Sequence, residues 1–275
     1  MAEVLATASI GVFDSGIGGL SVLQALHQEL PWEHFIYLAD AGYAPYGERD
    51  TAHVLRRSEA IARYLIESRK VKALVIACNT ATAAAVATLR GRYPHIPIIG
   101  IEPAVKPAAA LSRTGHIGVL ATRSTLQSEK FAALLASQSP GTHLVLQACD
   151  GLAAAIEQGD TGSIARLAAQ YLAALGPLGH HDGAVDALVL GCTHYALIAE
   201  LFSSLLAGRC SLHEAGLPVA RRARQLLVEG GLLRQAPPGT RAFELLSTGA
   251  RHLLQTAADR WLPPADAVQS LELAT

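Results

Sequence analysis

Short, wholly apolar runs alternate along the chain with longer stretches in which apolar residues return every three or four positions. Residues 9–13 form such a run, and a Gly-rich turn at 14–19 follows it. Leu20, Leu23, Leu26 and Leu30 then recur at helical spacing until Pro31, which predicts an amphipathic helix stopped by proline. A second strand is predicted at 34–38 and a loop of turn residues at 39–50. Val54, Ser58, Ile61 and Leu65 mark one face of a second helix. Residues 73–77 are apolar throughout, the signature of a parallel strand covered on both faces. An Ala-rich helix comes next, then a strand at 96–101.

The pattern restarts with strands at 116–120, 144–148 and 187–191. Helices are predicted over 125–137 and beginning at 153–158, with a loop at 176–183. Further on come a strand near 209–213, a helix at 218–232, a strand at 242–247 and a helix at 249–261. Alternation of this kind predicts the α/β class.

The two parts resemble each other. Ile10-Gly11-Val12-Phe13 and Ile117-Gly118-Val119-Leu120 each open a strand–helix unit. Leu74-Val75-Ile76-Ala77-Cys78-Asn79-Thr80 aligns with Leu188-Val189-Leu190-Gly191-Cys192-Thr193-His194. Matches in one order at similar spacing point to a duplicated unit. The expected architecture is two similar open parallel-sheet domains with pseudo-two-fold symmetry, and halves that face each other would leave a ligand cleft between them. Residues 1–103 plus 210–275 form the first domain, on the Cys78 side. Residues 104–209 form the second, on the Cys192 side.

Composition narrows the function classes. The chain has 275 residues, 51% of them apolar and 16% charged, with a net charge of −1. Arg221, Arg222 and Arg224 read as the solvated face of a helix, and nothing else concentrates the positive charge that nucleic acid requires. No run approaches the ~18–20 apolar residues of a membrane span. The first ten residues lack the basic start and apolar core of a signal peptide. A cytoplasmic protein is expected. Its four cysteines (Cys78, Cys149, Cys192 and Cys210) should then be free thiols. A free cysteine is usually a small buried hydrophobe, which suits Cys149 and Cys210.

Cys78 and Cys192 read differently. Both fall at the carboxyl end of a predicted parallel strand, where open α/β sheets bind ligands. Both precede polar residues at a helix start, Asn79-Thr80 and Thr193-His194. Helix N-termini present free N–H groups and partial positive charge, which favour a thiolate and can hold a carboxylate. Two facing halves would set one thiol on each side of a small ligand, one to remove a proton and one to deliver it. Asp14-Ser15-Gly16-Ile17-Gly18-Gly19 lacks both the third glycine of a dinucleotide loop, where Ser21 stands, and a Walker Gly-Lys-Ser/Thr. It reads instead as a turn bringing Asp14 and Ser15 into the cleft. Pro45-Tyr46-Gly47 is either a surface turn or part of a functional loop. His194 gains interest from lying two residues past Cys192. Glu157 on spacing alone is a solvated helix carboxylate. His180 and His181 have no partner ligand spacing, and no metal site is expected.

These stretches together resemble glutamate racemases of the aspartate/glutamate racemase superfamily. The resemblance rests on Gly11–Leu20 (GVFDSGIGGL), Tyr43-Ala44-Pro45-Tyr46-Gly47, Ala77-Cys78-Asn79-Thr80-Ala81-Thr82-Ala83, Gly100-Ile101-Glu102-Pro103-Ala104 and Gly191-Cys192-Thr193-His194-Tyr195. It implies two α/β domains with the active site in the cleft between them, and a cofactor-independent racemase that makes D-glutamate for peptidoglycan, works without pyridoxal phosphate or metal, and forms a homodimer. By position, Cys78 would deprotonate D-glutamate and Cys192 L-glutamate. Asp14, Ser15, Pro45, Tyr46, Gly47, Asn79, Thr80, Thr193 and His194 would contact substrate. Asp14, Glu157 and His194 would assist proton transfer. Departures occur at Cys149-Asp150-Gly151, where relatives have Cys-Pro-Leu, and at Thr122-Arg123-Ser124-Thr125, where they have Thr-x-Gly-Thr. The Asp usual in the first-domain return strand is replaced by Glu214 or absent. An N-terminal extension that some relatives use for activation by a peptidoglycan precursor is missing, so no such activation is expected. An aspartate racemase, a hydantoin racemase or a maleate isomerase would share the two thiols. A non-catalytic module that binds a small acid, or a protein acting on a partner such as a topoisomerase, is the alternative of another class.

Overall fold

Every residue of Ile10–Asp14, Phe35–Ala39, Ala73–Ile76 and Ala187–Leu190 is buried. Strands apolar on both faces need cover on both faces, and the fold supplies it. The computed structural model describes residues 6–237 and 242–273. Its strands are β1 (Ile10–Asp14), β2 (Phe35–Ala39), β3 (Ala73–Ile76), β4 (Ile98–Gly100), β5 (His116–Ala121), β6 (His143–Ala148), β7 (Ala187–Leu190), β8 (Ser211–His213), β9 (Phe243–Ser247) and β10 (Gln269–Ser270). All pair in parallel. They form a six-stranded sheet, β10-β9-β2-β1-β3-β4, and a four-stranded sheet, β6-β5-β7-β8.

The duplication is plain in this order. In each half the second strand lies beside the first, then come the third and the fourth. The first sheet adds β9 and β10 on its β2 edge. The expected return to the first domain at residue 210 comes too early, because Ser211–His213 pairs with Ala187–Val189 as the outer strand of the second sheet. The fourfold strand repeat is complete only with it. The chain returns after His213, where the helix Gly216–Glu229 packs on the helix Leu20–Glu29.

Capping explains where helices differ from expectation. The single helix expected over 125–137 is two helices, Arg123–Leu126 and Glu129–Ala136. Thr122 and Ser128 each accept a backbone N–H three residues on, which restarts the helix. The helix expected to begin at 153–158 is likewise two, Leu152–Gln158, which ends at Gly159, and Thr161–Ala173, capped by Asp160. The expected loop at 39–50 contains two short 3₁₀ turns, Ala41–Tyr43 and Tyr46–Glu48.

Alternation along the strands sorts the core. Phe13, Ile36, Leu38, Leu74 and Ile76 face one cluster beneath the first sheet. Ile117, Val119, Ala187 and Val189 face another beneath the second. Their neighbours Ile10, Val12, Tyr37 and Val75, with Leu120, Leu188 and Leu190, belong to one shared cluster that joins the two sheets through the helices between them. Both sheets therefore hold one face against a common core. Among the described residues, no helix is long and apolar enough to cross a membrane.

Candidate active site

Cys78 and Cys192 occupy equivalent places. Each lies two residues past the end of the third strand of its sheet and caps the helix that follows, Asn79–Arg92 and Thr193–Ala196 respectively. Both are buried, and both line one cleft. Of the residues expected there, Ser15, Pro45, Tyr46, Gly47, Asn79, Thr80, Thr193 and His194 also line it. Asp14 and Glu157 stand one layer back.

The surroundings of the two sulfurs differ. Cys78 Sγ accepts the Ala81 N–H at 3.4 Å and lies 3.9 Å from Ser15 Oγ. Burial and the nearby Asp14 push this thiol up, against the pull of the Ala81 N–H and Ser15. Cys192 makes no side-chain cap bond, and its Sγ lies 3.9 Å from His194 Nδ1. His194 Nε2 is 2.6 Å from Glu157 Oε2. Burial disfavours the charged imidazole, but the bonds to Cys192 and Glu157 outweigh it and hold His194 well above the ordinary histidine range. One sulfur thus faces a hydroxyl and a buried carboxyl, the other an imidazolium.

Asp14 joins the halves. It is fully buried at the end of β1 and accepts hydrogen bonds from Ser15 Oγ at 2.9 Å, from the Gly16 N–H at 3.3 Å and from Thr193 Oγ1 at 2.8 Å. Burial raises its carboxyl above the usual range, although His194, Thr193 and Ser15 pull the other way.

The Gly-rich turn serves close approach. A Cβ at Gly16 would lie 2.3 Å from Glu157 Oε2, and one at Gly18 would lie 2.4 Å from His194 Nδ1. Only the bare backbone lets the Ile17 N–H donate to both Glu157 oxygens, at 3.2 and 3.0 Å. The turn that resembles a nucleotide loop is thus filled by protein side chains from the second half.

Pro45-Tyr46-Gly47 is no surface turn. Tyr46 is buried and its hydroxyl donates to Asp40 Oδ2 at 2.5 Å. Arg57 donates to both Asp40 oxygens at 2.9 and 2.8 Å, and Thr248 Oγ1 donates to Oδ1 at 2.8 Å. The Arg57 guanidinium also stacks on Tyr43, 3.6 Å from the ring centroid. Sequence reading missed this network. A signal was present, since Arg57 lies on the apolar stripe of Val54 and Ile61, where a charge demands a buried partner. The loop also reaches across the cleft: Ser124 Oγ donates to the Gly47 carbonyl at 2.6 Å, and Thr80 Oγ1 lies 3.1 Å from Thr122 Oγ1.

Cys149, expected as a plain buried residue, is buried but lines the cleft, with its thiol pushed up by burial. Arg123, Asp150 and Glu48 line it as well, and spacing gave no sign of them. Glu214 follows β8, away from the cleft lining. No cluster of three or more His, Cys, Asp or Glu among the described residues has metal-binding geometry.

A family model described as Asp/Glu/Hydantoin racemase matches residues 10–219. The chain belongs to this family. It is 45% identical over 237 residues to a glutamate racemase of Pseudomonas putida (strain W619), covering 86% of this chain and 88% of that one. The crystal structure of the glutamate racemase isoform RacE1 from Bacillus anthracis superposes with a TM-score of 0.83 at 31% identity, covering 96% of this chain and 97% of that one. A glutamate racemase from Francisella tularensis subsp. tularensis SCHU S4, solved in complex with D-glutamate, gives 0.82 at 28% identity, with 97% and 98% covered. The likeness to racemases of this family extends over both sheets.

Proposed function

We infer that this chain interconverts L- and D-glutamate by moving the Cα proton between two cysteine sulfurs, and that it supplies D-glutamate for peptidoglycan. The observation that carries this reading is the pair of buried thiols at equivalent strand ends on one cleft. A stereocentre inverts when one face loses a proton and the other gains one, so two groups on opposite sides suffice as acid and base. No further cofactor enters the proposal.

In the L-to-D direction Cys192, as thiolate, takes the Cα proton, and the neutral Cys78 thiol delivers its own to the opposite face. The carbanion's charge passes to the new C–H bond, and Cys78 is left as thiolate. The D-to-L direction reverses each step. The raised Cys78 thiol suits the donor in the first direction. His194, charged and 3.9 Å from Cys192, stabilises negative charge on that sulfur, with Glu157 as its positioning residue. Asp14 and Ser15 serve the Cys78 side. The N–H groups at the starts of Asn79–Arg92 and Thr193–Ala196 suit the α-carboxylate. Asn79 Oδ1, buried without a protein hydrogen-bond partner, offers an acceptor to the substrate ammonium. The enzyme works in the cytoplasm as a homodimer, the compartment that keeps four free thiols reduced and the assembly the family resemblance implies.

The test is circular dichroism of purified, metal-free and pyridoxal-free protein with L- and D-glutamate separately, with Cα deuteration in D₂O followed by NMR. Optical activity should decay from both enantiomers, and Cys78→Ala or Cys192→Ala should abolish that decay. Turnover of aspartate or isomerisation of maleate instead would keep the two-thiol chemistry and change the substrate. Inertness toward all of them would make the chain a binding module.

A further inference from the structure

The mouth of the cleft holds an ion pair between the ends of two neighbouring strands, Arg123 after β5 and Asp150 after β6. Arg123 Nη2 donates to Asp150 Oδ2 at 2.5 Å, with side chains 57% and 48% exposed. Both residues line the same cleft as the two thiols. The charged residues lining it are Glu48, Arg123, Asp150 and His194. His194 is held inside by Glu157, which leaves Arg123, among the described residues, as the cation of the lining that faces solvent.

Its backbone is fixed on both sides. Thr122 caps the short helix and bonds to Thr80 across the cleft, while Ser124 bonds to the Gly47 carbonyl. The guanidinium is therefore an exposed fork on an anchored root. An exposed ion pair holds its partners weakly, so Arg123 exchanges one carboxylate for another at little cost. A guanidinium fork takes a carboxylate with two parallel hydrogen bonds.

We propose that Arg123 is the specificity residue for the side-chain carboxylate of the substrate, and that Asp150 holds its place in the empty cleft and competes with that carboxylate. This rests on the reading of glutamate as substrate. With Cα between the thiols and the α-carboxylate at the helix starts, the second carboxylate of a dicarboxylic amino acid points toward the mouth. Glu48 lines the same mouth and repels a second negative charge, which makes a cation there more necessary. Loss of a charge-assisted hydrogen bond weakens binding by about ten- to a hundredfold. Removal of a competing partner strengthens it.

The test measures KM and kcat for both enantiomers, with calorimetric titration of glutamate, in the unaltered protein, Arg123→Gln, Arg123→Lys and Asp150→Asn. Arg123→Gln should raise KM and the dissociation constant about ten- to a hundredfold, with kcat within about threefold. Arg123→Lys should fall between, and Asp150→Asn should bind glutamate several times more tightly than the unaltered protein. Unchanged binding in Arg123→Gln, or a loss confined to kcat, overturns the proposal. Binding that obeys these trends in a protein that racemises nothing retains the carboxylate site and overturns the catalytic reading. Absence of glutamate binding in the unaltered protein overturns both.

Discussion

Asp14 shows how a single residue carries the tension between stability and chemistry. Burial raises its carboxyl above the ordinary aspartate range, and three hydrogen bonds compensate only in part. The native state therefore holds a proton there more tightly than the unfolded chain does. The stability this proton confers is complete below about pH 4 and is lost as pH rises through the higher native value. Asp14→Asn keeps the shape and removes the titration. Its melting temperature should rise relative to the unaltered protein between pH 4 and pH 8, as read by thermal melts across that range, while racemisation falls about a hundredfold or more. The two thiols were legible because an apolar strand ending in cysteine is a strong local pattern that occurs twice. Glu157 was not legible from its own surroundings. Its contacts are with His194 and the Ile17 N–H, both distant in sequence and brought together only by folding.

At the scale of elements, the strand-end turn after β1 is the most demanding piece. Its glycines are required by what lies against them. Gly18→Ala would drive a methyl against the His194 ring and Gly16→Ala against the Glu157 carboxylate. The His194–Glu157 bond cannot survive either unchanged. Gly18→Ala should lower kcat about tenfold or more while the far-ultraviolet dichroism stays that of the folded protein. An unaltered kcat would show that the imidazole need not sit where it does. The strands and long helices of this frame were readable because burial of one face imposes a period. The Arg123–Leu126 and Glu129–Ala136 break and the Asp40–Arg57–Tyr46 network were not, since capping hydroxyls and buried ion pairs leave little trace in hydrophobic spacing. The one trace of that network was Arg57, a cation on an apolar stripe, and it went unread.

For the molecule as a whole, the decisive feature is the cluster shared by both sheets. It takes residues from β1, β2, β3, β5 and β7 together with the helices between them. Neither half holds its inner face against a core of its own. Calorimetry should therefore show one unfolding transition, with calorimetric and van't Hoff enthalpies equal within about 10–15%. Two resolved transitions would mean that the halves are separate folding units. The duplication was legible in the sequence, but the break at 210 was not. Three residues make a strand too short to announce its partner, and only pairing with β7 assigns β8 to the second sheet.

The frame repeats, but the flanks of the two sulfurs do not. A hydroxyl and a buried carboxyl stand beside one, an imidazolium and its carboxylate beside the other. Mirror-image substrates have equal free energy in water, so a catalyst of their interconversion must have the same kcat/KM in both directions. The unlike flanks cannot bias the final ratio of enantiomers. They can only make one hand turn over faster while it binds more weakly. Such an enzyme is free to hold its resting protonation state ready for the hand that the cell has in abundance, without altering where the reaction comes to rest.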